Sequence, residues 1–116
     1  MSQRSDQVAE ELRKIISMIL IQDIHDPRMG FVTITGIEMT SDLRFARVFY
    51  SVLGDDEKKN NTLEALDDHM RFIKKLAIQR INMKYAMEIK FEADKSVEHS
   101  FRVDELLKKI RKQDDK

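Results

Sequence analysis

A single proline divides this chain into two kinds of pattern. Pro27 sits in Asp26-Pro27-Arg28-Met29-Gly30. It cannot continue a helix and pushes the residues before it away from helical angles, while Gly30 can take backbone angles closed to other residues. Ahead of that stop, Val8, Leu12, Ile15, Ile16 and Ile19 recur at helical spacing, which predicts an amphipathic helix over residues 4–22 whose apolar stripe packs on a sheet. Behind it come two β-rich runs, Phe31-Val32-Thr33-Ile34-Thr35 and Phe45-Ala46-Arg47-Val48-Phe49-Tyr50-Ser51-Val52-Leu53, joined through Ser41-Asp42-Leu43-Arg44 and closed by Gly54.

In the first run Val32 and Ile34 alternate with Thr33 and Thr35, and then Gly36 breaks the parity before Ile37 and Met39, as a bulge would. In the second, Ala46, Val48, Tyr50 and Val52 share one face and Phe45, Arg47, Phe49 and Ser51 the other, and either face is a candidate for burial. A polar loop over residues 55–61 leads to a long helical pattern over 62–82, with Thr62 as its cap. Leu63, Leu66, Met70, Phe72, Ile73, Leu76, Ala77 and Met83 form its broad apolar side, and Met70 and Met83 suit gap-filling in a core. Ile89, Phe91 and Ala93 alternate with Lys90 and Glu92 as a third strand, and Val103, Leu106, Leu107 and Ile110 mark a closing helix before a frayed tail at 112–116. The order helix, strand, strand, helix, strand, helix implies an α+β layer of helices over a three-stranded mixed sheet.

All 116 residues fit one compact domain, ordered over about 4–111, which buries enough surface to fold without metal or disulfide support. With no cysteine there is no disulfide framework, thiolate metal site or cysteine nucleophile. That usage suits the cytoplasm. The most apolar run, residues 15–21, is too short to span a bilayer, and the first six residues carry no signal core. Formal net charge is zero, but it is unevenly spread. Residues 71–90 carry six bases (Arg71, Lys74, Lys75, Arg80, Lys84 and Lys90) against the single acid Glu88. Residues 38–57 run the other way, with Glu38, Asp42, Asp55, Asp56 and Glu57 against Arg44 and Arg47. The molecule is polarised.

The Asp26-Pro27-Arg28 stop, the Thr-rich strand turning through Asp42-Leu43, the Ser51-Val52-Leu53-Gly54 strand end and the later Phe72-Ile73-Lys74-Lys75-Leu76 helix together resemble the ribosome-binding factor A family, over about residues 8–110. The resemblance implies a type II KH-like domain in which a kink between two helices replaces the usual glycine-rich RNA-gripping loop. Gly30, Gly36 and Gly54 all precede the long helix, so no ordinary KH clamp is available. At the kink, where the family often shows Ala-x-Gly, this chain has His69-Met70-Arg71; where the family often shows Pro-Glu-Leu, it has Met87-Glu88-Ile89. The family further implies a cytoplasmic, monomeric, non-catalytic factor without cofactor. Such a factor binds immature small (30S) ribosomal subunits through their RNA and assists 16S RNA 5′-end processing and growth in the cold. A functional link to a maturation GTPase is implied by the family alone.

KH-like domains bring RNA to the joint of the two helices, which makes Arg71, Lys74, Lys75, Arg80, Lys84 and Lys90 the candidate RNA contacts. Read alone, acids early and bases late on one helix also compensate its macrodipole. On a straight helix Arg80 would fall within the apolar side, so a kink or an early end is needed to free it. Arg28 and Arg44 stand at strand ends where each could meet a phosphate. Arg47 between Phe45 and Phe49 could form a stacking platform for unpaired bases, or these rings could lie in the core or under the closing helix. Asp23-Ile24-His25-Asp26 has carboxylates and an imidazole but no distant partner in a metal motif, and reads as a solvated cluster. No catalytic residue, metal site, phosphate loop or triad order is present to support an enzyme. The alternative reading is a protein-docking module that uses the acidic loop 55–57 or the closing helix.

Overall fold

The computed structural model describes residues 3–82 and 87–95. Met83, Lys84 and the closing-helix segment with its tail therefore lie outside the described residues. Five elements follow in order: α1 (Gln3–Gln22), β1 (Phe31–Met39), β2 (Phe45–Leu53), α2 (Asp56–Ile81) and β3 (Glu88–Ala93). The strands form one mixed sheet in the order β1-β2-β3, with β1 antiparallel to β2 and β2 parallel to β3. A parallel pair needs a long crossover, and α2 supplies it.

The α1 stripe buries Leu12, Ile16 and Ile19 against the sheet, and α2 adds Leu66, Ile73 and Ala77 to the same core. From the sheet come Ile34, Met39, Ala46, Val48 and Ile89. This settles which face of β2 is covered. Ala46, Val48 and Val52 point at the helices, and Arg47 and Phe49 lie on the other face of the sheet. The predicted bulge is present, with the register slipping between Ile34 and Gly36 so that Thr35 is the extra residue. Its hydroxyl donates to Asp94 Oδ2 at 2.6 Å. Ile34 and Met39 consequently both reach the core from opposite sides of the bulge.

The β1–β2 turn is built on Asp42, whose Oδ1 accepts hydrogen bonds from the Thr40 hydroxyl and the Arg44 backbone N–H. Leu43 takes a left-handed φ of 63°, a strained conformation for a leucine, and its side chain is buried in the core. Core burial of an apolar side chain offsets the backbone strain.

Two expectations for α2 need correction. It starts at Asp56, not Thr62, because the Asp55 carboxylate caps it by accepting the Lys58 N–H at 2.8 Å, with Asp56 and Glu57 in the first turn. These first turns project past the core and are almost wholly polar, so they carry no apolar period to read. Nor is there an interruption at His69-Met70-Arg71: α2 is one helix of 26 residues, and it ends where Asn82 adopts the left-handed conformation.

Candidate nucleic-acid interface

The loop after α1 is bound to α2 side by side along its length. Gly30 N–H donates to the Thr62 hydroxyl at 3.0 Å, and that hydroxyl donates to the Lys58 carbonyl at 2.9 Å. A Cβ at position 30 would stand 2.9 Å from Thr62 Oγ1, so only glycine allows this approach. Thr62 is thus a buried link in mid-helix and not a cap.

One turn further on, Asp26 accepts from the Arg28 backbone N–H (2.9 Å), Nε (3.1 Å) and NH2 (2.7 Å). His69 Nε2 stands 3.0 Å from the same carboxylate. Arg28 also reaches Asp68 at 2.8 Å and Glu64 at 3.9 Å. The Asp26 side chain is only 12% exposed. Its hydrogen bonds from Arg28, then that from His69, hold its carboxyl far below the usual carboxylate range. The cluster read as solvated is therefore a tie between helices. Asp23 completes it by accepting two hydrogen bonds from Arg80, at 2.7 and 3.1 Å.

That pair also corrects the expectation for Arg80. The uninterrupted helix leaves it exposed in the last turn of α2, where it reaches Asp23 just after α1. No kink is required.

Arg71, Lys74 and Lys75 recur at i, i+3 and i+4 on α2, one turn beyond the Arg28 cluster. Arg71 and Lys75 are exposed and Lys74 half-buried, and none has an ion-pair partner among the described residues. α2 rests on α1 and β2, while β3 is one edge of the sheet. Between α2 and that edge opens a cleft of about 270 Å³ with Tyr50, Phe91, Leu63 and Met70 in its walls and Lys74 and Lys90 among its lining. The Tyr50 and Phe91 rings are tilted against each other at 6.4 Å. Lys90 also lies 3.5 Å from Glu92. The structure thus brings together four of the predicted basic residues, Arg71, Lys74, Lys75 and Lys90, around α2 and its cleft.

The remaining candidates sit elsewhere. Arg47 lies on the sheet face away from the helices, bonded to Glu92 at 2.5 Å and Glu38 at 3.2 Å, with its guanidinium 5.2 Å from the Phe49 ring centroid. The cation stands over the Phe49 ring, one of the two rings of the expected platform, and acids from both neighbouring strands flank it. Arg44 is exposed in the hairpin turn, and its carbonyl accepts the Glu88 N–H. Lys84 lies outside the described residues. Among those residues, no three His, Cys, Asp or Glu side chains are grouped to hold a metal ion, and no helix is long and apolar enough to cross a membrane.

Sequence comparison matches residues 4–107 to the family described as Ribosome-binding factor A. A relative of that name from Geobacter metallireducens is 42% identical over 110 residues, 95% of this chain and 93% of its own. Another from Halothermothrix orenii is 41% identical over 113 residues, 97% and 93% of the two chains. Among solved structures, the solution structure of a putative ribosome binding factor A from Thermotoga maritima superposes with a TM-score of 0.62 at 30% identity, covering 79% of this chain and 88% of that one. The crystal structure of ribosome-binding factor A from Thermus thermophilus gives 0.61 at 18% identity, covering 77% and 94%. At that identity the second likeness speaks for the fold alone.

Proposed function

We propose, from the premise that this chain belongs to the ribosome-binding factor A family, that it binds the small ribosomal subunit through RNA at the α2 face. The observation that carries the reading is the row Arg71, Lys74 and Lys75, three cations on one uninterrupted helix with no internal partner among the described residues, in a chain whose net charge is zero. A Thermus thermophilus relative sharing the fold has been fitted into a map of its complex with the 30S subunit, which supports the choice of partner.

Recognition is mainly by phosphate and shape, because the cations cluster and the exposed rings are few. Lys90, shared with Glu92, lines the Tyr50–Phe91 cleft, which offers a place for an unpaired nucleotide beside the row, and Lys84 is a further proposed contact. Arg80, Arg47 and Arg28 already have carboxylate partners and contribute less. Arg44, in the hairpin turn, is a peripheral contact.

The factor acts by differential affinity. It grips an immature conformation of the subunit more tightly than the mature one, shifts the population while bound, and loses its hold as maturation proceeds. Assistance to 16S RNA 5′-end processing, growth in the cold, a cytoplasmic location, a monomeric state and release linked to a maturation GTPase belong to the same reading. No cofactor or covalent step is needed. The acidic residues that suggested a protein-docking module, Asp55 to Glu57, cap and open α2, which gives them a structural reason.

The test is sedimentation of the purified protein with precursor and mature small subunits across a salt series. Binding should favour precursors, and about four to six phosphate contacts give a log–log salt slope of roughly −3 to −5. A slope near zero removes the α2 cations from the mechanism.

A further inference from the structure

On an isolated helix, Asp67 and Asp68 would both compete to pair with Arg71, four and three residues later, and the basic row would be partly neutralised from within. The fold removes Asp68 from that competition. Asp68 Oδ2 is instead 2.8 Å from Arg28 NH2, and Glu64 Oε2 is 3.9 Å from Arg28 NH1. Arg28 is fixed in turn by three hydrogen bonds to Asp26, which is itself tied to His69 on α2. Its guanidinium thus bridges a loop carboxylate and a helix carboxylate 42 positions apart in sequence.

We infer that Arg28 is a positioning residue for RNA binding: it sequesters Asp68, with Glu64, so that Arg71 meets RNA with only Asp67 left beside it on the helix, and it does so without touching RNA itself. The inference rests on the proposal that the α2 cations bind the small subunit. Direct contact by Arg28 is disfavoured electrostatically. Three carboxylates lie within 4.0 Å of Arg28, so the group stays net negative even with His69 charged, and an approaching phosphate is repelled.

A double-mutant cycle on Arg28→Ala and Asp68→Asn tests this, read as affinity for purified small ribosomal subunits at about 50 mM salt. Arg28→Ala should weaken binding roughly threefold, the scale of one exposed ion pair. Asp68→Asn should do little alone and should restore most of the loss in the Arg28→Ala background. If Asp68→Asn instead tightens binding more with Arg28 present than absent, Arg28 is a direct phosphate contact and the inference is overturned. If Arg28→Ala lowers the melting temperature but leaves affinity intact well below melting, the role is merely structural and the inference is equally overturned. Arg28→Lys keeps a cation on Asp26 but lacks the fork that also reaches Asp68, and it carries the cycle where Arg28→Ala does not fold. Subunit binding unaffected by Lys74→Glu with Lys75→Glu would mean that the underlying reading has failed, whatever the cycle shows.

Discussion

Two neighbouring turns of α2 both carry charged residues, and the rest of the fold engages one turn and leaves the other open. Asp68 and His69 are answered by the loop after α1, through Arg28 and Asp26. Around Arg71, Lys74 and Lys75, one turn later, none is answered from within the described residues. Local sequence is equally polar in both. What separates a charge tied into the fold from one left open to solvent here is whether another segment of the chain reaches it.

The largest effect expected from that contrast is on the unanswered side. Lys74→Glu combined with Lys75→Glu should weaken small-subunit association on the order of a hundredfold at about 50 mM salt, with the melting temperature nearly unchanged. A large melting shift would make these lysines part of the architecture and erase the distinction. On the answered side, Thr62→Val leaves Gly30 N–H without its acceptor in a part-buried site and should cost about 1–2 kcal/mol of stability in urea unfolding. Subunit affinity should be kept.

Acid sharpens the comparison further. Asp26 titrates below its ordinary value of 3.8 in the folded protein, chiefly through Arg28. Its stabilising contribution is complete above the unfolded value and fades as pH falls from about 5 through the lowered folded value. Asp23, held down by Arg80, adds in the same direction. Thermal melts should therefore show stability falling below about pH 5, and Asp26→Asn should flatten part of that limb while lowering stability near neutrality. A melting curve for Asp26→Asn with the wild-type acid limb would remove Asp26 from the account. The smallest effect belongs to Arg47→Ala: with Glu38 and Glu92 already on it, its loss should change subunit affinity by less than about twofold.

Much of the fold was legible because it rests on periodicities that local sequence must carry. The α1 stripe, the stop at Pro27, the parity break near Gly36 and the alternation in β2 each predicted an observed feature. Where α2 begins was not read from its pattern, because residues 56–61 project past the core and carry no apolar period, and only Asp55 with the acids behind it signals the start. The clustering of bases after residue 70 was plain in the sequence. Which of them are already engaged was not. Arg80 could not be assigned to Asp23, nor Arg28 to Asp68, since 57 and 40 positions separate the partners and spacing says nothing about encounters at that range.

By itself the sequence determined the element order, the apolar stripes and the polarised distribution of charge, because propensity, helical and strand periods and the Pro27 stop act over a few residues. Only the tertiary structure decided which face of β2 is covered, that Thr62 is a link and not a cap, and which cations remain available. Those outcomes depend on side chains far apart in sequence meeting within a few ångströms, and that proximity is created by packing α1, α2 and the sheet around one core.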